Sequence, residues 1–274
     1  MGKNIGFVGG GNMAQAMIGG LVANKVSAAN IMVADPDQTQ RELVASRFGV
    51  RVMSDNSELA SKVDVLVLAV KPQVLAGVAR DLAAATQANK PVIVSVVAGI
   101  QASSIQTWMG GNVAVVRAMP NSPCLVRQGI TALHANALTS NEQRGLAQQI
   151  LEAVGTVIWL EREELMDAVT AVSGSGPAYF FLFMEAIEQC ARRMGLPMEV
   201  AWALTLHTGV GAARMALESG QDLAQLRKNV TSPGGTTAAA LAIFEQAGLR
   251  DIVDRALNGA RERGSEIALE FGRE

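Results

Sequence analysis

Two short stretches of the 274-residue chain combine residue types that could do chemistry. The first is Gly9-Gly10-Gly11-Asn12-Met13-Ala14, which leads out of the apolar run Asn4–Val8 into a segment with helical spacing. A glycine at the first position permits a tight turn, and one at the third lets the backbone approach a pyrophosphate. A small residue at Ala14 keeps the helix close to its strand, so that the helix N-terminus faces the phosphates. Asp35 stands 21 residues beyond Ala14, at the end of the next β-branched run, where a carboxylate meets an adenosine ribose. The second stretch is Asn229-Val230-Thr231-Ser232-Pro233-Gly234-Gly235-Thr236-Thr237, ahead of a helical segment over Ala238–Phe244. Hydroxyls, two glycines and free backbone N–H groups at a helix start suit a small carboxylate. Plain capping uses the same residue types, although a turn does not need four hydroxyls.

The first stretch predicts dinucleotide binding, and its neighbours refine the reading. A carboxylate at Asp35 bonds a free 2′-hydroxyl and repels a 2′-phosphate, which favours NADH. Arg41 is the nearest downstream arginine and reaches a phosphate there only if the loop folds back. The run Val63–Val70 ends in Lys71-Pro72, with Asn56 in the loop before it. At the carboxyl edge of a parallel sheet Ala69, Val70 and Lys71 would approach ribose and nicotinamide, and Ala98 and Gly99 would line the same crevice. Lys71 reads as a cofactor contact rather than a base. A third glycine-serine stretch, Ser173-Gly174-Ser175-Gly176-Pro177, is expected to open a helix with Ser as N-cap and Pro in the first turn, ordinary capping chemistry.

Other chemistries lack their parts. The only histidines, His134 and His207, adjoin no motif, and Cys124 and Cys190 have no CxxC spacing, so neither a metal site nor a nucleophilic triad nor a disulfide framework is expected.

The elements that must position these stretches fall into two kinds. Strand candidates are Asn4–Val8, Ile31–Ala34, Val63–Val70, Val92–Val96, Val113–Arg117, Ile130–His134 and Thr156–Leu160. Helical spacing fills the gaps at Met13–Asn24, Gln38–Phe48, Val74–Ala84, Ile105–Met109 and Asn141–Val154. The alternation predicts a doubly wound α/β domain with a parallel sheet, the Rossmann arrangement, over residues 1–162. From residue 163 to 274 the strand signal disappears, and an all-α domain is expected. Its helix Pro177–Met194 puts Phe180, Phe183, Met184, Ile187, Ala191 and Met194 on one face, a stripe that reads as core. The next, Pro197–Leu217, is apolar nearly all round and must be buried from several sides. A second subunit in an intertwined homodimer would bury it; packing on the sheet domain of the same chain is the alternative.

Composition narrows the partners. Basic residues number 23 against 25 acidic, for a net charge of -2, and aromatics are 4%, so neither phosphate neutralisation along a duplex nor a base-stacking platform is supported. The apolar runs Val65–Val70 and Tyr179–Met184 end at Lys71 and Glu185, well short of a membrane span of roughly 18 apolar residues. Glycines, Asn12 and Gln15 break residues 5–23 as a signal segment, and position 6 is Gly where lipidation wants Ser or Thr. A cytoplasmic location is expected.

Taken together, Gly9–Ala14, Ala69-Val70-Lys71-Pro72, Met119-Pro120-Asn121, Ser173-Gly174-Ser175-Gly176-Pro177-Ala178-Tyr179 and Ser232-Pro233-Gly234-Gly235-Thr236-Thr237 resemble pyrroline-5-carboxylate reductase from end to end. The last two motifs in this order are specific to that family, whereas the glycine fingerprint is common to many dehydrogenases. The resemblance implies an oxidoreductase of proline biosynthesis that reduces the C=N bond of Δ1-pyrroline-5-carboxylate to L-proline with NAD(P)H. It also implies an N-terminal Rossmann domain and a C-terminal dimerisation domain, with homodimers that can assemble further into decamers. Carried over by position, substrate contacts fall on Glu163, Asn229, Ser232, Gly235, Thr236 and Thr237. Cofactor contacts fall on Gly9, Gly10, Gly11, Asn12, Met13, Asp35, Asp37, Asn56, Ala69, Lys71 and Ala98. Thr237 is the expected catalytic residue, its hydroxyl orienting the ring nitrogen, with the N–H groups of Gly235 and Thr236 and the Ser232 hydroxyl on the carboxylate. Members that use NADPH well often carry a small hydroxyl or basic residue where this chain has Asp35, so both NADP(H) and NAD(H) are expected as cofactors.

Two other readings compete. A β-hydroxyacid dehydrogenase pairs a similar fingerprint with a helical domain but depends on a lysine there, and here only Lys228 could serve. A non-catalytic NAD(P)H sensor would bind the dinucleotide without needing the small-anion loop.

Overall fold

The computed structural model describes residues 2–271. The strands β1 (Ile5–Val8), β2 (Ile31–Ala34), β3 (Arg51–Met53), β4 (Val65–Leu68), β5 (Val92–Ser95), β6 (Val115–Met119), β7 (Gly129–Ala135) and β8 (Gly155–Trp159) form one sheet. Its order is β3-β2-β1-β4-β5-β6-β7-β8. Between the strands lie α1 (Asn12–Ala23), α2 (Gln38–Phe48), α3 (Asn56–Ala60), α4 (Pro72–Asn89), α5 (Ala102–Trp108) and α6 (Asn141–Glu152). Strands β1 to β6 are parallel throughout. The sheet departs from the expected all-parallel form at β7, which is antiparallel to β6, and β8 follows β7. Only a tight 3-10 turn over Ser122–Val126 joins β6 to β7, and a parallel return needs a crossover of a dozen residues or more.

Alternation along each strand divides the core between the two faces. Ile5, Phe7, Ile31, Val33, Val65 and Val67 pack under α1 and α6 with Met17, Ile18, Leu21, Ile150 and Leu151. Val8, Met32, Leu66, Leu68 and Ile93 meet Leu59, Leu75, Leu82, Ile105 and Trp108 on the opposite face. Burial on both sides explains the near-continuous β-branched runs. The neighbour relation β2-β1-β4 places the point where strand order reverses beside β1, so the crevice for a ligand opens at the carboxyl ends of β1 and β4.

The helical part continues with α7 (Met166–Val169), α8 (Gly176–Arg193), α9 (Met198–Ser219), α10 (Leu223–Asn229), α11 (Thr236–Gln246) and α12 (Leu249–Phe271). Two compact units result: the first runs to Ser175 and takes back the chain from Gly259 onward, and the second is Gly176–Asn258. The division by compactness therefore falls after residue 175 rather than after 162. Residues beyond Trp159 stay with the sheet because Glu163 bonds both β6 and α5, and because Gly174 lies so close to Met119 that a Cβ there would meet its methyl. The final turns of α12 join them: Ser265 donates to Asp167 at 2.8 Å, and Ile267 lies against Gly99.

A helix does start within 173–177, α8 at Gly176 with Pro177 in its first turn, but Ser173 does not cap it. Residues Thr170–Gly174 form a π turn that runs on from α7. Ser175 donates its N–H to the Thr170 carbonyl at 2.8 Å, and the Ser173 hydroxyl bonds back to the Val169 carbonyl at 3.0 Å instead of capping forward. Such a wider turn is a form common near functional sites.

Within the second unit the aromatic stripe of α8 is not a core. Phe180, Phe183, Ile187 and Met194 are exposed, as are Trp202 (57%), Leu204 and Val210 on α9, where only Ala201 and Thr205 are buried. Among the described residues no helix is long and apolar enough to cross a membrane.

Candidate active site

The glycine stretch sits where the fingerprint requires. Gly9 has a left-handed φ of 95°, and a Cβ on it would lie 2.6 Å from the Ala69 carbonyl oxygen, so the turn must be glycine. Gly11 is the N-cap of α1 with no side chain capping it, which leaves the first N–H groups of a twelve-residue helix without partners among the described residues. A Cβ on Gly11 would meet nothing within 4 Å, so the approach to those N–H groups is open. Gln15 and Gln40 both donate to the Gly10 carbonyl and hold the loop in shape. The sequence marks neither glutamine as a site residue, since both occupy helix positions with no motif.

Asp35 is fixed by two backbone donors: Oδ2 accepts the Gly10 N–H at 2.8 Å and Oδ1 the Asp37 N–H at 2.9 Å. Asp37 caps α2, its carboxylate accepting the Thr39 N–H. On the far side of β1, Ala69 and Val70 follow β4, Lys71 is the exposed N-cap of α4 with Pro72 behind it, and Ala98-Gly99 form a turn after β5. Asn56 begins α3, and its Oδ1 is buried with no hydrogen-bond partner. An orphaned acceptor at the ribose side of the crevice, together with the uncapped α1 and the Gly9 turn, fits a dinucleotide.

Glu163 has a different setting from the loop it was grouped with. Its Oε1 accepts Arg117 Nη1 at 2.8 Å and the Ala102 N–H at 2.7 Å, so one carboxylate ties β6 to the start of α5. Arg117 is 8% exposed, and it was not singled out from the sequence. The available signal was a charge at the end of a buried strand, which demands a partner.

In the second unit, Asn229 closes α10 and its amide is held on both sides, donating to Gln221 Oε1 at 3.0 Å and accepting from Gln225 at 2.7 Å. The Thr231 hydroxyl bonds the Arg227 carbonyl at 2.6 Å and so belongs to the helix end. Gly235 corrects one expectation: its N–H donates to the Ser232 carbonyl at 3.0 Å, closing a turn around Gly234, and is not a free donor. Gly235 is the N-cap of α11 with no side-chain cap, so the open donors are the N–H groups of Thr236, Thr237 and Ala238. The Ser232, Thr236 and Thr237 hydroxyls bond nothing among the described residues. Among the described residues no group of three His, Cys, Asp or Glu side chains could hold a metal ion.

Two family models match the chain. One, described as pyrroline-5-carboxylate reductase dimerisation, covers residues 163–267, beginning where the strand signal ends. The other, described as NADP oxidoreductase coenzyme F420-dependent, covers residues 4–99. The chain is 48% identical to a pyrroline-5-carboxylate reductase of Pseudomonas aeruginosa, over 98% of each chain. Among solved structures, a pyrroline-5-carboxylate reductase from Coxiella burnetii superposes with a TM-score of 0.93 at 42% identity, over 97% of this chain and 98% of that one. A Plasmodium falciparum pyrroline carboxylate reductase with NADP bound gives 0.86 at 29% identity, over 97% and 98%.

Proposed function

The chain belongs to the pyrroline-5-carboxylate reductase family, and from that premise we infer how its own residues carry out the reduction of Δ1-pyrroline-5-carboxylate to L-proline with NAD(P)H. The observation that carries the reading is the set of unengaged groups at the head of α11. The Thr236 and Thr237 N–H groups, with the Ser232 hydroxyl, bind the substrate carboxylate at the positive end of the helix. The Thr237 hydroxyl bonds the ring nitrogen and orients the iminium. Asn229, locked by Gln221 and Gln225, holds the loop's entry in place.

The residues Gly9 to Met13, Asp35, Asn56, Ala69 to Lys71 and Ala98 would hold the dinucleotide, its pyrophosphate on the α1 N-terminus and its ribose at Asp35. When bound, the reduced nicotinamide supplies the hydride that C5 of the protonated imine accepts. The substrate brings its own electrophile, so the chain needs no nucleophile and no strong base. What the residues contribute is position and exclusion of water, worth up to about 7–11 kcal/mol for a well-oriented pair. Glu163, engaged by Arg117 and Ala102, is read as support for the sheet edge.

The working form in this reading is a homodimer. The open apolar faces of α8 and α9 lie in the segment matched by the dimerisation model, and a second copy would bury them. A cytoplasmic setting accords with two cysteines that form no disulfide and with a supply of reduced nicotinamide.

Thr237→Ala tests the reading. Loss of one hydrogen bond to a charged nitrogen should lower kcat/KM for the imine by about 10- to 100-fold and leave cofactor affinity within about 2-fold. Unchanged turnover would reject the role. Binding of NADH without its oxidation in the presence of the imine would support the sensor reading instead.

A further inference from the structure

Arg41 presents an arrangement that the glycine fingerprint does not account for. It lies in the first turn of α2, and its guanidinium has folded back over the loop that follows β2. One nitrogen, Nη1, donates to both the Asp35 carbonyl at 2.7 Å and the Pro36 carbonyl at 2.9 Å. A guanidinium carries five N–H donors in a fixed plane, and these two bonds use those on Nη1 alone. The Nε and Nη2 edge, the one that grips an oxyanion with two parallel bonds, has no partner among the described residues. No carboxylate lies within ion-pairing distance of Arg41 among the described residues, although Asp35 and Asp37 flank the loop. Those two carboxylates are restrained by backbone donors: Asp35 by the Gly10 and Asp37 N–H groups, Asp37 by the Thr39 N–H. The neighbouring Gln40 is anchored on the Gly10 carbonyl, so the turn that carries Arg41 is held on both sides.

We propose that Arg41 is the cofactor-specificity residue of this chain: a guanidinium anchored by one edge on the 35–36 carbonyls, whose other edge takes the 2′-phosphate of NADP(H) and thereby lets a site built around Asp35 accept both coenzymes. The proposal rests on the reading of Gly9–Ala14 as the dinucleotide site and adds to it the group that distinguishes the two forms. The physical logic is a balance of charges. A 2′-phosphate brings about -1.5 to -2 charges at pH 7, which Asp35 repels and Arg41 attracts, and the free 2′-hydroxyl of NADH needs only Asp35. Arginine suits the task because its fork stays charged and is already oriented, so little side-chain freedom is lost on binding.

The test compares Arg41→Gln, which keeps N–H donors for the two carbonyls without the charge, with Arg41→Lys, which keeps the charge without the fork. Calorimetric titration of the full chain with 2′,5′-ADP and with 5′-AMP reads the phosphate contact apart from catalysis. Steady-state rates with NADPH and NADH then follow. In Arg41→Gln, 2′,5′-ADP affinity and kcat/KM for NADPH should fall by about 10-fold or more, with 5′-AMP affinity and kcat/KM for NADH within about 2-fold. Arg41→Lys should recover part of the loss. Equal losses with both coenzymes would make Arg41 a structural clamp and overturn the proposal, as would unchanged 2′,5′-ADP binding. Should neither nucleotide bind the unaltered chain, it is the dinucleotide reading itself that fails; should both bind it and Arg41→Gln alter neither, only the assignment of Arg41 fails.

Discussion

Replacing Glu163 separates a structural carboxylate from a substrate contact. Its Oε1 accepts Arg117 at 2.8 Å and the Ala102 N–H at 2.7 Å, with the Arg117 side chain 10% exposed and that of Glu163 23%. Removing one partner of a buried pair costs about 3–5 kcal/mol, because the other charge is left buried alone. Glu163 keeps some access to water, so Glu163→Ala should fall near the lower end, ~3 kcal/mol, and lower Tm by roughly 6–12 °C at about 2–4 °C per kcal/mol. Glu163→Gln retains an acceptor for one of the two donors and should lose about half as much. The double variant Arg117→Met with Glu163→Leu removes both charges together, so it should lose less than the two single changes added, with a coupling of about 2 kcal/mol. Urea unfolding of all forms at one protein concentration measures this, since an oligomer's stability depends on concentration. Additivity within about 0.5 kcal/mol would refute the argument. A Glu163→Gln enzyme with undiminished stability and a raised KM for the imine would return Glu163 to the substrate.

Three further outcomes follow from the same structure. Asp35→Ser removes the charge that opposes a 2′-phosphate and should raise the NADPH/NADH ratio of kcat/KM by about 10-fold or more; an unaltered ratio would mean that Asp35 does not face the ribose. Trp202→Asp puts a carboxylate on an apolar face and should shift the sedimentation of the assembled enzyme toward the single chain; identical sedimentation with full activity would remove α9 from the interface. Burial pushes the Cys124 thiol above its ordinary range, with hydrogen bonds around Asn121 and Thr131 opposing it. The folded chain then keeps this proton where the unfolded chain has lost it. That contribution to stability is whole below about pH 8.5 and declines above it by at most ~1.4 kcal/mol per pH unit, so Cys124→Ala should flatten the decline seen by urea unfolding between pH 8 and 10. An unchanged slope would refute it.

Local signals in the sequence were sufficient where the structure is local. The run Ile31–Ala34 and the helix Gln38–Phe48 stand where alternation and periodicity put them, and Gly9–Ala14 folds as its spacing requires. The edge strand Arg51–Met53 escaped notice because three residues are too few to show a period. The π turn at Thr170–Gly174 was illegible for another reason: Ser173 ahead of Pro177 specifies a cap when read alone, whereas in the fold the Ser173 hydroxyl and the Ser175 N–H both bond back into the preceding turn. Arg117 with Glu163 and Arg41 on the 35–36 carbonyls were likewise beyond reach, since a side chain's partner across the fold is not encoded in its neighbours.

The stripe Phe180, Phe183, Ile187 and Met194 carries the deeper lesson. Periodicity states that a helix face will leave water; it does not state which chain will cover it. That face was read as core, and within one chain it lies open, as do Trp202, Leu204 and Leu217, the last 85% exposed. A chain that exposes so many large apolar groups on a segment of under a hundred residues would not keep them solvated, because each side chain left in water forgoes about 1.5–3 kcal/mol of burial. The same unit carries, at Thr236 and Thr237, N–H groups with no partner among the described residues. Both deficits are what the proposed reading supplies: in it, a second copy would cover the apolar faces and a substrate carboxylate would meet the open helix end.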